Sequence, residues 1–217
     1  MTYIMLLDPD LVQGKEVIST GMTKEVDRCQ AALDQACRQR PTAIVCSGDS
    51  GIYALAGLVL EMMEKRDLVH RLSLQIIPGI PALAAAAASL GAPLMHDFAA
   101  ISLSDLLTPW EVIEKRIQAA AAADFVLVVY NPRSKSRSWH LDALCSMVRS
   151  HRPGSTPVGV VKNATRQDEQ VTLTTLQDLD TSQVDMKCTV IIGNSQTRRV
   201  DSWLITPRGY ERKYDLS

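Results

Sequence analysis

What most constrains the fold of this chain is the regular exchange of short apolar runs for helical patterns. Apolar runs at 16–20, 42–47, 72–78, 98–104, 124–130, 157–163 and 188–194 read as buried strands. Between most of them, helical spacing occupies 24–39, 52–65, 81–90, 109–123 and 140–150. Strands alternating with helices argue for an α/β protein with parallel pairing and ligand sites at the C-terminal ends of the strands. After about residue 97 strands dominate, and the runs at 170–176 and 202–207 read as antiparallel additions. The expected architecture is two α/β lobes with mixed sheets, over residues 1–97 and 98–217. No Gly/Ser linker and no internal repeat interrupts them. The opening DPDLVQGKE follows only a short apolar stub. The N-terminal lobe is therefore expected to lack the first strand with which a doubly wound lobe normally begins.

With 217 residues the chain can bury a sizeable core. A net charge of −1 gives no field that would recruit nucleic acid or an anionic membrane, so neither is expected as a partner. No apolar run approaches the roughly 18 residues of a membrane span. The first residues lack the basic region and long apolar stretch of a secretory signal, so a cytoplasmic location is expected. The five cysteines are dispersed and form no C-x-x-C pair, so no protein-bound metal is expected. Cys46 and Cys188 flank apolar strands and read as packing residues in a reducing compartment.

The motif with most chemical content is SGDSGIY, at 47–53. An apolar run ends at Cys46, glycines at 48 and 51 turn the chain, and a helical pattern follows. Glycine there permits positive φ and close approach of a ligand. The pattern is neither G-x-G-x-x-G nor G-x-x-x-x-G-K-[ST], and a carboxylate at Asp49 would repel phosphate. Asp49 suits a ligand offering hydroxyl or ammonium donors, such as a ribose or an amino-acid head. The alternative is that it caps the following helix. IIPGIPALAAAA repeats the theme, with Pro78, Gly79 and Pro81 fixing a tight exit from a strand into an alanine-rich helix. Two such turns at strand ends suggest a shared pocket.

Two further segments carry candidates. VVYNPRSKSR ends a strand with Tyr130 and Asn131, then presents Arg133, Lys135 and Arg137, a basic cluster suited to a polycarboxylate or simply a solvated loop. MHDF places His96 beside Asp97, as an acid/base pair or a structural one. No nucleophile elbow, HExxH motif or triad spacing is present.

Taken together and in order, SGDSGIYALAGLVLE, IPGIPALAAAAASLGAPLMHDFAAISLSDLLTPW, YNPRSKSR, TPVGVVKNATR, IIGNSQT and ITPRGY resemble the tetrapyrrole methylase family from Gly14 to Tyr210. ISLSDLLTPW and TPRGY are similar to the subgroup acting on carbon 17 of precorrin-3B or cobalt-precorrin-3. The resemblance implies a homodimeric enzyme with S-adenosylmethionine held in a cleft between lobes. It implies methylation of carbon 17 coupled to ring contraction, S-adenosylhomocysteine as product, and cobalt, where present, arriving inside the substrate. It maps cofactor contacts onto Ser47, Gly48, Asp49, Ile52, Pro81, Ala82, Asn131 and Ala164. The carboxylates of the macrocycle would then meet Arg133, Lys135 and Arg137, and His96 or Tyr130 would move the proton that contraction requires. The family normally opens with a strand and a Gly-x-Gly-Pro-Gly loop ahead of GKEVISTGM, and Pro81 stands where its second turn carries a hydroxyl residue. A non-catalytic remnant binding S-adenosylmethionine, or a family methylase acting at another ring carbon, are the alternatives.

Overall fold

The computed structural model describes residues 9–21 and 24–216. Residues 1–8, where the expected loss of a first strand falls, lie outside the described residues. The chain divides into two compact units, up to Pro81 and from Ala82 onward.

The first unit is built on helices. A single turn, α1 (Pro9–Val12), precedes α2 (Glu25–Cys37) and α3 (Ala56–Lys65). Cys29 and Leu33 on α2 and Val59 and Met63 on α3 are each four residues apart, so each pair lies on one helical face. With Leu68 they form a buried cluster, against which Ile44, Leu55 and Leu72 pack. Arg66 closes the pair of helices through Asp34 at 2.7 Å. The strands expected at 16–20, 42–47 and 72–78 do not form: among the described residues of this unit none is paired in a ladder. Val45, Leu74, Ile76 and Ile77 are exposed there. An apolar run becomes a strand only when a neighbour takes up its N–H and C=O groups, and the pattern of one segment cannot supply that neighbour.

The second unit holds both mixed sheets. Its elements are α4 (Ala82–Leu90), β1 (Gly91–Ala92), β2 (Phe98–Ser102), α5 (Trp110–Ala122), β3 (Val126–Tyr130), α6 (His140–Arg149), β4 (Pro157–Lys162) and β5 (Gln170–Thr175). They continue with β6 (Cys188–Ile192), β7 (Arg198–Val200) and β8 (Trp203–Ile205). The larger sheet has the order β2-β3-β6-β4-β5, and a smaller one has the order β1-β8-β7. α4 and β1, which the sequence reading groups with the first lobe, make their contacts here: α4 with β4 and β6, and β1 with β8.

Both faces of the large sheet are covered, and the alternation of β3 shows how. Val126 and Val128 point to a cluster with Ala86 and Leu90 of α4 and Leu204 of β8. Leu127 and Val129 point to the opposite cluster, with Ile113 and Ile117 of α5 and Leu141, Leu144 and Val148 of α6. All four are fully buried, which is why this strand reads as a continuous apolar run.

Pairing is less parallel than alternation implied. β2–β3 and β1–β8 are parallel, whereas β3–β6, β6–β4, β4–β5 and β7–β8 are antiparallel. β4 runs into β5 through 163–169 without a helix, and a parallel crossover needs about a dozen residues or more. β6 then inserts between β3 and β4. Among the described residues no helix is long and apolar enough to cross a membrane.

Candidate active site

In the first unit the two glycine turns lie against each other, and Asp49 joins them. Gly48 adopts φ +75°, as the turn requires. One carboxylate oxygen of Asp49 accepts the backbone N–H of Gly51 at 2.8 Å and the other accepts that of Gly79 at 3.0 Å. The Ser50 hydroxyl donates to the carbonyl of Ile77 at 3.3 Å. A Cβ on Gly79 would lie 2.1 Å from the Gly48 carbonyl oxygen, so the approach is backbone on backbone. The Gly79 N–H first, then that of Gly51, hold the Asp49 carboxyl below the usual aspartate range. Helix α3 starts only at Ala56, and its N-cap residue Leu55 makes no side-chain cap bond, so Asp49 does not cap it. Ser47, Gly48 and Ile52 remain exposed beside this junction.

In the second unit the candidates collect at one edge of the large sheet. Ser102 pairs with Tyr130, and Lys162 pairs with both Cys188 and Gln170. The C-terminal ends of β2, β3 and β4 therefore line up with the N-terminal ends of β5 and β6. The two central exits share a device: Asn131 follows β3 at φ +49° and Asn163 follows β4 at φ +53°. Asparagine is among the few residues that adopt this region readily. Asn131 donates its side-chain amide to the Ser102 hydroxyl at 2.9 Å. Beyond Asn163, Ala164 lies between two left-handed residues, because Thr165 has φ +65°. The Thr165 N–H donates to the Glu169 carboxylate, which also accepts from Ser89 of α4 at 3.0 Å.

Tyr130 reaches the start of α4, the helix that opens at Ala82. The Tyr130 phenol oxygen accepts the N–H of Leu83 at 2.9 Å, satisfying one of the donors that a helix N-terminus leaves without an intrahelical acceptor. His96 is half-exposed just ahead of β2, and its Nδ1 accepts the Asp97 N–H at 2.8 Å.

The basic loop divides into three roles. Arg133 donates to the Ser138 carbonyl at 2.6 Å and lies 3.6 Å from the Asp142 carboxylate. Arg137 is buried and donates to the Asn131 carbonyl at 3.0 Å, so it braces the exit of β3 and is not a surface group. Lys135 is exposed. Arg133, Ser134 and Lys135 form one wall of a groove of about 370 Å³, whose other wall is 184–187.

A sequence profile described as Tetrapyrrole (Corrin/Porphyrin) Methylases matches residues 9–180 of the chain. The chain belongs to the tetrapyrrole methylase family. Over 196 residues it is 54% identical to a probable cobalt-factor III C(17)-methyltransferase of Salmonella typhimurium, covering 90% of this chain and 80% of that protein. It is 46% identical over 218 residues to the cobalt-factor III methyltransferase of Priestia megaterium, covering 100% of this chain but 40% of that longer protein. The crystal structure of the methyltransferase CobJ superposes with a TM-score of 0.89 at 36% identity, covering 94% of this chain and 85% of that one.

This tetrapyrrole methylase also contains a pair that the sequence did not signal. His140, the first residue of α6, is buried, and its Nε2 lies 2.9 Å from the Asp105 carboxylate. The ring stacks on Trp139 at 4.0 Å and meets the edge of Trp110 at 4.7 Å. The hydrogen bond to His140 holds the Asp105 carboxyl below its usual range. Asp105 lies in the ISLSDLLTPW segment, but its partner is 35 positions away and has no motif of its own. Ser102, which orients Asn131, lies in the same segment. Among the described residues no group of three or more His, Cys, Asp or Glu side chains is placed to hold a metal ion.

Proposed function

We propose that this tetrapyrrole methylase transfers a methyl group from S-adenosylmethionine to carbon 17 of precorrin-3B or its cobalt-bearing counterpart, with contraction of the ring, in cobalamin biosynthesis. The observation that carries the proposal is the 54% identity over 196 residues to a relative named for carbon 17 of cobalt-factor III. The CobJ likeness at TM-score 0.89 supports it.

The residues of the first unit fit a sulfonium nucleoside better than a nucleotide. Two glycine turns leave Ser47, Gly48 and Ile52 exposed at their junction, which the Asp49 carboxylate bridges. With Pro81 these are the proposed cofactor contacts of this unit. Bound S-adenosylmethionine would supply an electrophilic methyl group, so the protein need only hold the carbon nucleophile in line about 3 Å away. Transfer would leave the donor without its sulfonium charge, so donor and product would bind differently. Tyr130 contributes through its hold on α4. His96, with a half-exposed ring, is the proposed group to move a proton during contraction. A homodimer in the cytoplasm, with S-adenosylhomocysteine released, is the proposed working form. The family resemblance supports it.

Incubating the purified protein with S-adenosylmethionine and cobalt-factor III tests the reading. The expected product carries one added methyl at carbon 17, read by mass spectrometry and nuclear magnetic resonance. Binding of S-adenosylhomocysteine without methylated product would overturn it.

A further inference from the structure

The groove between 133–135 and 184–187 is more specific than its outline suggests, because its charges are unevenly committed. Asp185 is the one acid among its lining residues. That carboxylate lies 2.7 Å from the Lys162 ammonium and accepts the Lys187 backbone N–H at 2.8 Å. Arg133 is likewise engaged, by the Ser138 carbonyl and Asp142. The side chains of Lys135 and Lys187 are different: among the described residues neither makes a hydrogen bond or ion pair. Both line the groove, together with the apolar side chains of Val184 and Met186.

Arg137 is 8% exposed, and its Nε has no hydrogen-bond partner. Its guanidinium donates to the Asn131 carbonyl and lies 3.3 Å from the sulfur of Met186, a lining residue. Among the described residues it forms no ion pair with a carboxylate. A buried cation that no carboxylate contacts directly is costly; the Asp105 carboxylate, which feels the Arg137 charge, offsets part of that cost, and an anion entering the groove would offset more.

We propose that this groove is a carboxylate subsite, in which Lys135 and Lys187 contact one acidic side arm of the tetrapyrrole while Val184 and Met186 take the apolar part of that arm. Lys187 is the new element: it replaces Arg137 in the substrate-contacting set, and Arg137 supplies a fixed positive field from within the fold. The subsite rests on the reading that the substrate is a tetrapyrrole polycarboxylate. Its position follows from topology, since β3 and β6 are antiparallel, so the exit of β3 and the entry of β6 lie side by side at the sheet edge that also carries Asn131 and Ala164.

The test uses the intact protein and uroporphyrin III, followed by quenching of porphyrin fluorescence, with S-adenosylhomocysteine affinity measured in parallel. Lys187→Gln and Lys135→Gln should each weaken porphyrin binding about five- to tenfold, the loss of one charged hydrogen bond. Lys187→Arg should restore most of the affinity. Cofactor affinity and the thermal midpoint should stay unchanged in all three variants. Each glutamine variant should also show a shallower dependence on salt. Wild-type affinity for the porphyrin with both glutamine variants unaffected would overturn the subsite while leaving the tetrapyrrole reading intact. If the wild-type protein binds the porphyrin and its methyl ester equally well, carboxylates are not what it recognises, and the substrate reading fails with the subsite.

Discussion

Asp49 reaches across 30 positions of sequence to accept the backbone N–H of Gly79 at 3.0 Å while accepting that of Gly51 at 2.8 Å. The carboxylate fastens two turns together as well as presenting charge. Asp49→Ala should therefore abolish S-adenosylhomocysteine binding measured by calorimetry, and Asp49→Asn, which keeps one acceptor oxygen, should retain a weakened affinity. Full affinity in the alanine variant would remove Asp49 from the site.

The same contact sets a pH dependence. The Gly79 and Gly51 hydrogen bonds lower the folded-state pKa of Asp49 beneath its ordinary 3.8. A depressed carboxylate stabilises the fold fully above its unfolded pKa, and that contribution disappears as pH falls through the folded value. The Gly51 and Gly79 amide resonances should then titrate together, with one midpoint below 3.8. Separate midpoints, or one above that value, would show that the carboxylate does not couple the turns.

Gly79→Ala probes the same junction from the other side. A Cβ placed 2.1 Å from the Gly48 carbonyl oxygen cannot be accommodated by rotating a side chain, so the turns must separate. The expected cost is about 1–3 kcal/mol in denaturant unfolding, in the range of overpacked sites, with loss of cofactor binding. An alanine variant of wild-type stability and affinity would show that the approach is not required.

Tyr130→Phe separates positioning from proton transfer. Removing the phenol oxygen leaves the Leu83 N–H without its acceptor and should cost about 0.5–1.5 kcal/mol. Faster hydrogen exchange confined to the first turn of α4 is the expected signature. A fall in turnover with unchanged exchange would mark Tyr130 as a group acting on substrate instead.

Gly159 and Leu90 test how tightly α4 sits on the sheet. A Cβ at Gly159 would approach two Leu90 methyl carbons to 2.5 Å, and Leu90 is fully buried. Gly159→Ala should destabilise by about 1–3 kcal/mol, and Leu90→Ala alone by about 2–5 kcal/mol. Together they should cost less than the sum, because the alanine at 159 fills space that Leu90 vacates. Strict additivity would show that the two do not share that space.

The second unit was legible because its elements carry complete local signals. The unbroken apolar run of β3 announces a strand covered on both sides, and the spacing of Leu141, Leu144 and Val148 announces one buried helical face. The first unit was not, because the apolar runs around Val45 and Ile76 specify strand chemistry without specifying a partner. Among the candidate residues, Asp49 and Asn131 could be picked out because they follow apolar runs at turns. Arg137 reads in sequence as a polycarboxylate contact or a solvated group of a basic loop, and only the fold shows it buried and bracing the exit of β3. His140 carried no signal, because its partner Asp105 is contributed by a segment distant in sequence.

The insertion of β6 between β3 and β4 has a consequence for assembly. In the order β2-β3-β6-β4-β5, β3 and β4 share no hydrogen bonds with each other. As the chain emerges from the ribosome, β2–β3 and β4–β5 can form as separate ribbons, each with an inner edge unpaired. Only when residues 188–192 arrive do the ribbons become one sheet. The slow, aggregation-exposed interval of folding is thus set by the last-made central strand.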